Sequence, residues 1–350
     1  CKQQELKKAN NKIQKILESG DFDRYDECEE ILKDALAVGG EKDVGIDVFH
    51  AIDEVLCEDF RNPIPTGMIG IDNLMDGGLS KGELGVILAP FGVGKTTLIT
   101  KMANTAYNLG YNVVQIFFED NPKVIQRKHI TCWTEISLNE LTEKREEVKK
   151  ILPKFKNKEG NLILKKMPSD GTTIPKIKQY LRKLASNGNK PDIVFIDYMD
   201  CVVPSKQFKD EWSGEGNVMR QFETMISELD IVGWTAIQGN RSSIGANVVE
   251  ADMIGGSIKK GQIGHFILSV AKTLEQKEEG RATLAILKSR FGKDGVILED
   301  IVFDNATLKI DTTQSSDVTF LGFEKGEEKK KSNLVIEAIK KKKGIMGNSD

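Results

Sequence analysis

Histidine, cysteine and long apolar runs are scarce in this chain, and each shortage removes a class of function. Three histidines, His50, His129 and His265, are scattered among 350 residues. They form no cluster to hold a transition metal, and each is expected to be a packing or surface residue. Five cysteines, Cys1, Cys28, Cys57, Cys132 and Cys201, have neither metal-ligand nor redox-motif spacing. That argues against a zinc ribbon, and scattered free thiols point to a reducing, cytoplasmic setting. No apolar stretch is long enough to span a bilayer, so no membrane partner is expected. Net charge is −3, so the molecule is not a polycation. Any nucleic-acid contact must come from local basic loops. The first residues are polar and charged, and no secretory leader is expected. Residue 1 is Cys rather than Met, which suggests a fragment whose N-terminus lies beyond the sequence.

One segment supplies chemistry: Ala89-Pro90-Phe91-Gly92-Val93-Gly94-Lys95-Thr96-Thr97. It follows an apolar run at 84–88, expected to be a buried strand, and precedes a helical pattern at 98–103. Strand, glycine-bearing loop, Lys-Thr and helix are the context of a phosphate-binding loop. Backbone N–H groups of Ala89, Gly92, Val93, Gly94 and the Thr96-Thr97 helix start would cradle the phosphates of a nucleoside triphosphate, with ATP the expected cofactor once the resemblance below is taken in. Lys95 would reach the outer phosphates, and the Thr96 hydroxyl would ligate Mg2+.

Phosphoanhydride hydrolysis needs further groups. Asp192-Ile193-Val194-Phe195-Ile196-Asp197 is an apolar strand pattern ending in a carboxylate, and Asp197 is the expected second Mg2+ holder. Glu119 follows the strand pattern at 113–118. C-terminal strand ends in a parallel sheet share one edge, so Glu119 is placed to orient the attacking water, with Asp120 as its competitor. Gln238 ends the strand pattern at 234–237, where an amide can bond the γ-phosphate and change partners when it leaves. Lys288 and Arg290 close the pattern at 282–287. Alternate strand positions face one side. If the pair lies far from the chain's own loop, it must serve a neighbour's, which requires head-to-tail oligomers.

Alternating strand and helix patterns from Gly67 onward give the fold class: α/β, with a mostly parallel twisted sheet. Strands are expected at 84–88, 113–118, 193–196, 234–237, 265–270 and 282–287, the last two as an antiparallel edge. A hairpin is expected from 301–303 and 307–310 around Asp304-Asn305-Ala306. Four regions follow: helices at 1–40, a linker helix and connector at 41–65, the ATPase domain at 66–312, and a polar, basic tail at 313–350. The linker stripe Val48, Phe49, Ile52, Val55 and Leu56 either lies on its own domain or docks on a neighbour. The tail is expected to be solvated and mobile.

Together these motifs resemble the C-terminal, RecA-like motor domain of DnaB-type replicative helicases, in a phage-like form, over about 65–310. Pro65-Thr66-Gly67, Ile71-Asp72 and Gly77-Gly78-Leu79 look like the family's lead-in, and Ala89 at the first loop position is common there. The resemblance implies that Glu119 is the catalytic glutamate, Asp197-Tyr198 the Walker B pair, and Gln238 the phosphate sensor, with Asn240 and Arg241 beside it. It implies that Lys288 and Arg290 reach the adjacent subunit's site. Gly255-Gly256-Ser257-Ile258 resembles a channel loop, which makes Arg241, Gly256, Lys259 and Lys260 DNA contacts. Lys206 and Lys209 belong to the other expected loop at 204–216, for which an ordinary surface loop is an equal reading. The sequence departs from the family at Ile254, at Lys259-Lys260 and at Asp200. The resemblance further implies a homohexameric ring moving 5′ to 3′ on single-stranded DNA, unwinding duplex and working with primase and a loader. It makes 1–40 the end of a helical collar and the linker helix a contact with the next subunit. A RecA- or RadA-type recombinase and a KaiC-like ATPase share the phosphate loop. The Lys288-Ser289-Arg290 strand end and the linker helix favour the helicase.

Overall fold

The computed structural model describes residues 2–20, 24–37, 48–49, 52–56, 61–156, 159–208, 210–255, 259–315 and 317–320. The chain divides into two compact units, Cys1–Phe60 and Arg61–Asp350. In the first, α1 (Lys2–Ser19) packs on α2 (Tyr25–Ala37). Ala9, Ile16 and Ala35 are buried there. Gly20, at φ +67°, ends α1 in the left-handed conformation that glycine adopts without cost. Only Ile52–Val55 of the linker stripe is helical (α3), preceded by a turn at Val48-Phe49. The expected helix over the whole stripe is therefore shorter than its pattern.

The second unit starts at Arg61, a few residues before the expected boundary. It opens with α4 (Ile69–Leu74) and continues through β1 (Leu84–Ala89), α5 (Lys95–Asn108), β2 (Val113–Phe117), α6 (Pro122–Thr134) and α7 (Arg145–Ile151). Next come β3 (Leu162–Lys166), α8 (Ile174–Ser186), β4 (Ile193–Asp197), α9 (Glu211–Leu229), β5 (Val232–Gln238) and α10 (Lys259–Ile263). The described residues close with β6 (Phe266–Ala271), α11 (Leu274–Glu279), β7 (Arg281–Ser289), β8 (Val296–Phe303), β9 (Ile310–Asp311) and β10 (Asp317–Phe320). Strand order across the sheet is β10-β8-β7-β6-β1-β5-β4-β2-β3, with β9 also on β8. The run from β6 to β3 is parallel, and β7 to β10 add antiparallel.

Central strands are apolar on both faces because helices cover both sides. Leu84, Val86 and Leu88 of β1 enter one core with Val194, Ile196 and Phe222; Ile87 and Ala89 enter the other with Phe195, Trp234 and Phe266. Gly85 is required where β1 passes the Trp234 ring, which a Cβ would overlap.

Three expectations need correction. β3 carries no strong strand signal, because it is a half-buried edge strand ending in two lysines. The tail does not become free after Thr312: a helical turn at Thr312–Gln314 and β10 pair back onto the sheet, with Val318 opposite Leu298. Residues 321–350 lie outside the described residues. The hairpin at 301–310 forms, but β9 is only two residues, with Phe303 opposite Ile310. Among the described residues no helix is long and apolar enough to cross a membrane.

Candidate active site

β1 delivers the phosphate loop to the C-terminal edge of the parallel strands, and α5 starts at once with Lys95. Gly92 and Gly94 have φ of +75° and +122°, conformations closed to most side chains. A Cβ on Gly94 would lie 2.6 Å from Asn305 Oδ1 and 2.7 Å from Phe303 Cε1. The loop is thus braced from the β8–β9 turn. Asn305 Oδ1 accepts from the Thr97 hydroxyl at 3.0 Å, and its amide donates to the Val93 carbonyl at 3.5 Å. The Lys95 ammonium donates to the Ala89 and Pro90 carbonyls at 3.3 and 3.4 Å. Burial lowers its pKa, while Asp197, Asp200 and Glu119 pull the other way. One ammonium among three carboxylates leaves the site net negative, so a polyphosphate would have to enter with a divalent cation.

The other expected residues converge on the same edge. Phe117 is opposite Asp197, and Ala89 opposite Gln238. Asp197 is buried, which raises its pKa, and the Thr96 hydroxyl bonded to its carboxylate opposes this, as do Lys128 and Lys95. One carboxylate and one hydroxyl form a hard oxygen donor set that suits Mg2+, with phosphate and water completing the shell. Among the described residues there is no cluster of three or more His, Cys, Asp or Glu that would hold a metal unaided.

Glu119 and Asp120 have different partners. Asp120 is ion-paired to Lys128 at 2.9 Å. Glu119 is exposed, and its Oε1 accepts from the Tyr198 hydroxyl at 3.0 Å. Tyr198 in turn lies under the Lys95 ammonium, 5.6 Å from ring centroid to Nζ. Burial, then Cys201 and Glu119, hold the Tyr198 phenol well above its usual range, so it stays a donor. Of the two carboxylates, Glu119 is the one that acts electrostatically on Lys95, whereas Asp120 acts on Asp197.

Gln238 joins this edge through its backbone. Its N–H donates to Asp200 Oδ2 at 3.1 Å and its carbonyl accepts from Gly255 at 2.9 Å. Arg241 is exposed on the helical turn that follows, whose start is capped by Asn240.

Lys288 and Arg290 sit at the other edge. β7 is antiparallel to β6, with Ser289 opposite Phe266, and Phe266 opposite Gly85 at the far end of β1 from the loop. Lys288 donates to the Gln262 carbonyl at 2.6 Å; Arg290 is exposed, with its backbone N–H on His265. Burial, then Arg290, lower the Lys288 pKa.

The expected DNA contacts divide. Lys206 is exposed before α9, which takes up the second half of its expected loop. Lys209, Gly256 and the Lys259 side chain lie outside the described residues. Lys260 is not the free surface cation expected of it. It is buried, pairing with Asp200 at 2.6 Å and Glu215 at 3.0 Å.

The family model of the DnaB-like helicase C terminal domain matches residues 63–311. This chain belongs to that family. A DnaB-like replicative helicase of Enterobacteria phage T4 is 23% identical over 238 residues, covering 65% of this chain and 50% of that protein. The replicative DNA helicase DnaB of Helicobacter pylori strain 26695 is 29% identical over 185 residues, covering 51% and 37%. The chain thus spans half or less of the curated relatives it matches. Among solved structures, the ATPase domain of G40P superposes with TM-score 0.62 at 18% identity, covering 71% of this chain and 90% of that one. A DnaB-like replicative helicase, described with its interactions with primase, gives 0.69 at 18%, covering 87% and 75%. The fold is that of the RecA-like ATPase domains of DnaB-like helicases.

Within this DnaB-like domain, three contributors had little sequence signal. Asn305 reaches the phosphate loop across 208 residues of chain. Tyr198 is visible only as the neighbour of Asp197. Arg61 lies with its guanidinium 4.2 Å from the centroid of Phe291, next to Arg290, and bonds Glu83 at 2.9 Å.

Proposed function

We propose that this chain is the motor of an ATP-dependent replicative DNA helicase, in which hydrolysis drives 5′ to 3′ movement on single-stranded DNA and strand separation. Gly92, Gly94 and the start of α5 bind the phosphates, and Lys95 neutralises the outer ones. Glu119, oriented by Tyr198, accepts a proton from the attacking water. Gln238 senses the γ-phosphate. Thr96 and Asp197 hold Mg2+, which when bound screens phosphate charge.

The observation carrying this reading is the position of Arg290 and Lys288 at the sheet edge opposite the chain's own loop. Cations there serve catalysis only in a neighbouring subunit, which requires head-to-tail contacts, and the assembly we propose for them is a closed ring, a homohexamer. Lys206, Arg241, Lys259 and the loop around Gly256 are proposed to line its channel and meet the DNA backbone. Primase and a loader are the expected partners, in the cytoplasm of a bacterial or phage-infected cell. Particle mass with an ATP analogue and oligo(dT) tests the assembly. A hexamer is expected; a filament that lengthens with the DNA would indicate the recombinase reading instead.

A further inference from the structure

The Lys260 ammonium has three N–H donors and three acceptors: Asp200 Oδ1 at 2.6 Å, Glu215 Oε2 at 3.0 Å and the Gly255 carbonyl at 3.3 Å. It has no donor left for a phosphate, and its side chain is 3% exposed. The other Asp200 oxygen accepts from the Gln238 N–H at 3.1 Å, and the Gln238 carbonyl accepts from Gly255 N–H at 2.9 Å. The circuit is therefore closed, running from the Gln238 amide through Asp200 and Lys260 to Gly255 and back to the Gln238 carbonyl. Glu215 ties the same ammonium to the first turns of α9.

Two features make this circuit stiff. Gly239 bridges Ile254, and Asn240 N–H donates to the Met253 carbonyl at 2.7 Å, so 253–255 is zipped to the strand end. A Cβ on Gly255 would come within 2.6 Å of the Gln238 carbonyl, so only glycine permits the approach. On its other side the strand end is fixed to the phosphate loop. Gly239 N–H donates to the Ala89 carbonyl at 3.1 Å, the same oxygen that accepts from Lys95.

We infer that Asp200, Lys260 and Glu215 form a clasp that couples the Gln238 strand end to Gly255 and to the Lys260 position on α10, with Lys260 acting as a positioning residue rather than a DNA ligand. The inference rests on the motor reading above. Movement at the nucleotide-facing end of β5 is passed toward the expected channel loop, because a buried ammonium with every donor used, held by two partly exposed carboxylates, has few alternative arrangements. Linkage is reciprocal: DNA held by that loop biases Gln238 in turn.

The test measures, on the full chain, the ratio of ATPase rate with and without oligo(dT), and the salt dependence of oligo(dT) binding. Asp200→Asn and Lys260→Met should each reduce the ratio by about tenfold. The double variant should be no worse than the more severe single, since one circuit is broken in every case. The salt slope of binding should not change. If Lys260→Met flattens the slope by about 0.7, the contribution of one phosphate contact, Lys260 is a DNA ligand and the clasp is wrong. If both single variants keep the wild-type ratio, the coupling is wrong. Should the singles not fold, Asp200→Asn with Lys260→Met and Glu215→Gln removes all three charges together, so that no charge is left without its partner. A wild-type ratio in that variant overturns the inference. No DNA stimulation in the wild type refutes the motor reading and the clasp with it, whereas stimulation that survives in the variants refutes the clasp alone.

Discussion

Replacing Arg290 with alanine removes an exposed side chain and should cost little stability, yet it should stop hydrolysis. The magnitude follows from sheet geometry. Arg290 adjoins Ser289, which sits opposite Phe266, and Phe266 sits opposite Gly85. From Gly85 to Ala89 is four residues, about 13 Å at ~3.3 Å each. Two strand spacings sideways add about 10 Å, giving a diagonal of about 16 Å before the phosphate loop begins. That exceeds the reach of an arginine side chain, so Arg290 acts on a neighbour. An arginine at a transferring phosphoryl group is worth about 10³–10⁵ in kcat, or about 4–7 kcal/mol. ATPase of Arg290→Ala should fall by that factor while binding of a fluorescent ATP analogue persists. Lys95→Ala should lose nucleotide binding and hydrolysis. Mixing the two inactive proteins 1:1 should restore activity, because an interface works when an intact phosphate loop meets an intact Arg290. With random assembly that is about a quarter of interfaces (½ × ½). Zero recovery at every mixing ratio would refute the trans geometry.

Three further outcomes are expected. Tyr198→Phe removes the 3.0 Å hydrogen bond to Glu119 and should lower kcat about tenfold, about 1.5 kcal/mol, with a much smaller change in KM; unaltered kcat would remove Tyr198 from the orienting role. Asn305→Ala unties Thr97 and Val93 from the β8–β9 turn and should weaken ATP-analogue binding by about three- to tenfold, read by titration; wild-type affinity would count against the brace. His129 is buried between Asn104 and Gln115, at 2.5 and 2.9 Å, and burial, with Lys128 second, pushes its pKa down to about 3. A depressed histidine favours folding fully above its unfolded pKa of ~6.5 and loses that contribution as pH falls, about 2 kcal/mol by pH 5. Denaturant midpoints at pH 7 and pH 5 should therefore converge in His129→Gln; an equal pH slope in wild type and variant would refute this.

The placement of the phosphate loop, Asp197 and Glu119 at one sheet edge was legible in the sequence because each depends on local pattern: an apolar strand, a polar residue at its end, and a sheet edge shared by parallel strands. Their partners could not. Asn305 reaches Thr97 only once β8 has folded beside the phosphate loop, and no periodicity reports such a contact. β10 stayed hidden because Asp317-Val318-Thr319-Phe320 is a short edge strand in a polar stretch, held by pairing with β8 rather than by its own propensity. Lys260 misled in the opposite direction. A lysine pair in a glycine-bearing loop suits DNA phosphate, but Asp200 and Glu215, far away in sequence, close around one member of the pair and bury it. Charge in a sequence gives the sign available, and tertiary structure decides whether that charge faces water.

Strand displacement from a fork is the decisive measurement. Labelled forks carrying a 5′ single-stranded tail, a 3′ tail, or blunt ends are incubated with the chain, ATP and Mg2+. Displacement is expected only with ATP and only from forks offering a 5′ tail, and it should vanish in Lys95→Ala and Arg290→Ala. Steady ATP hydrolysis without displacement of any fork, or with strand exchange in its place, would contradict the motor reading.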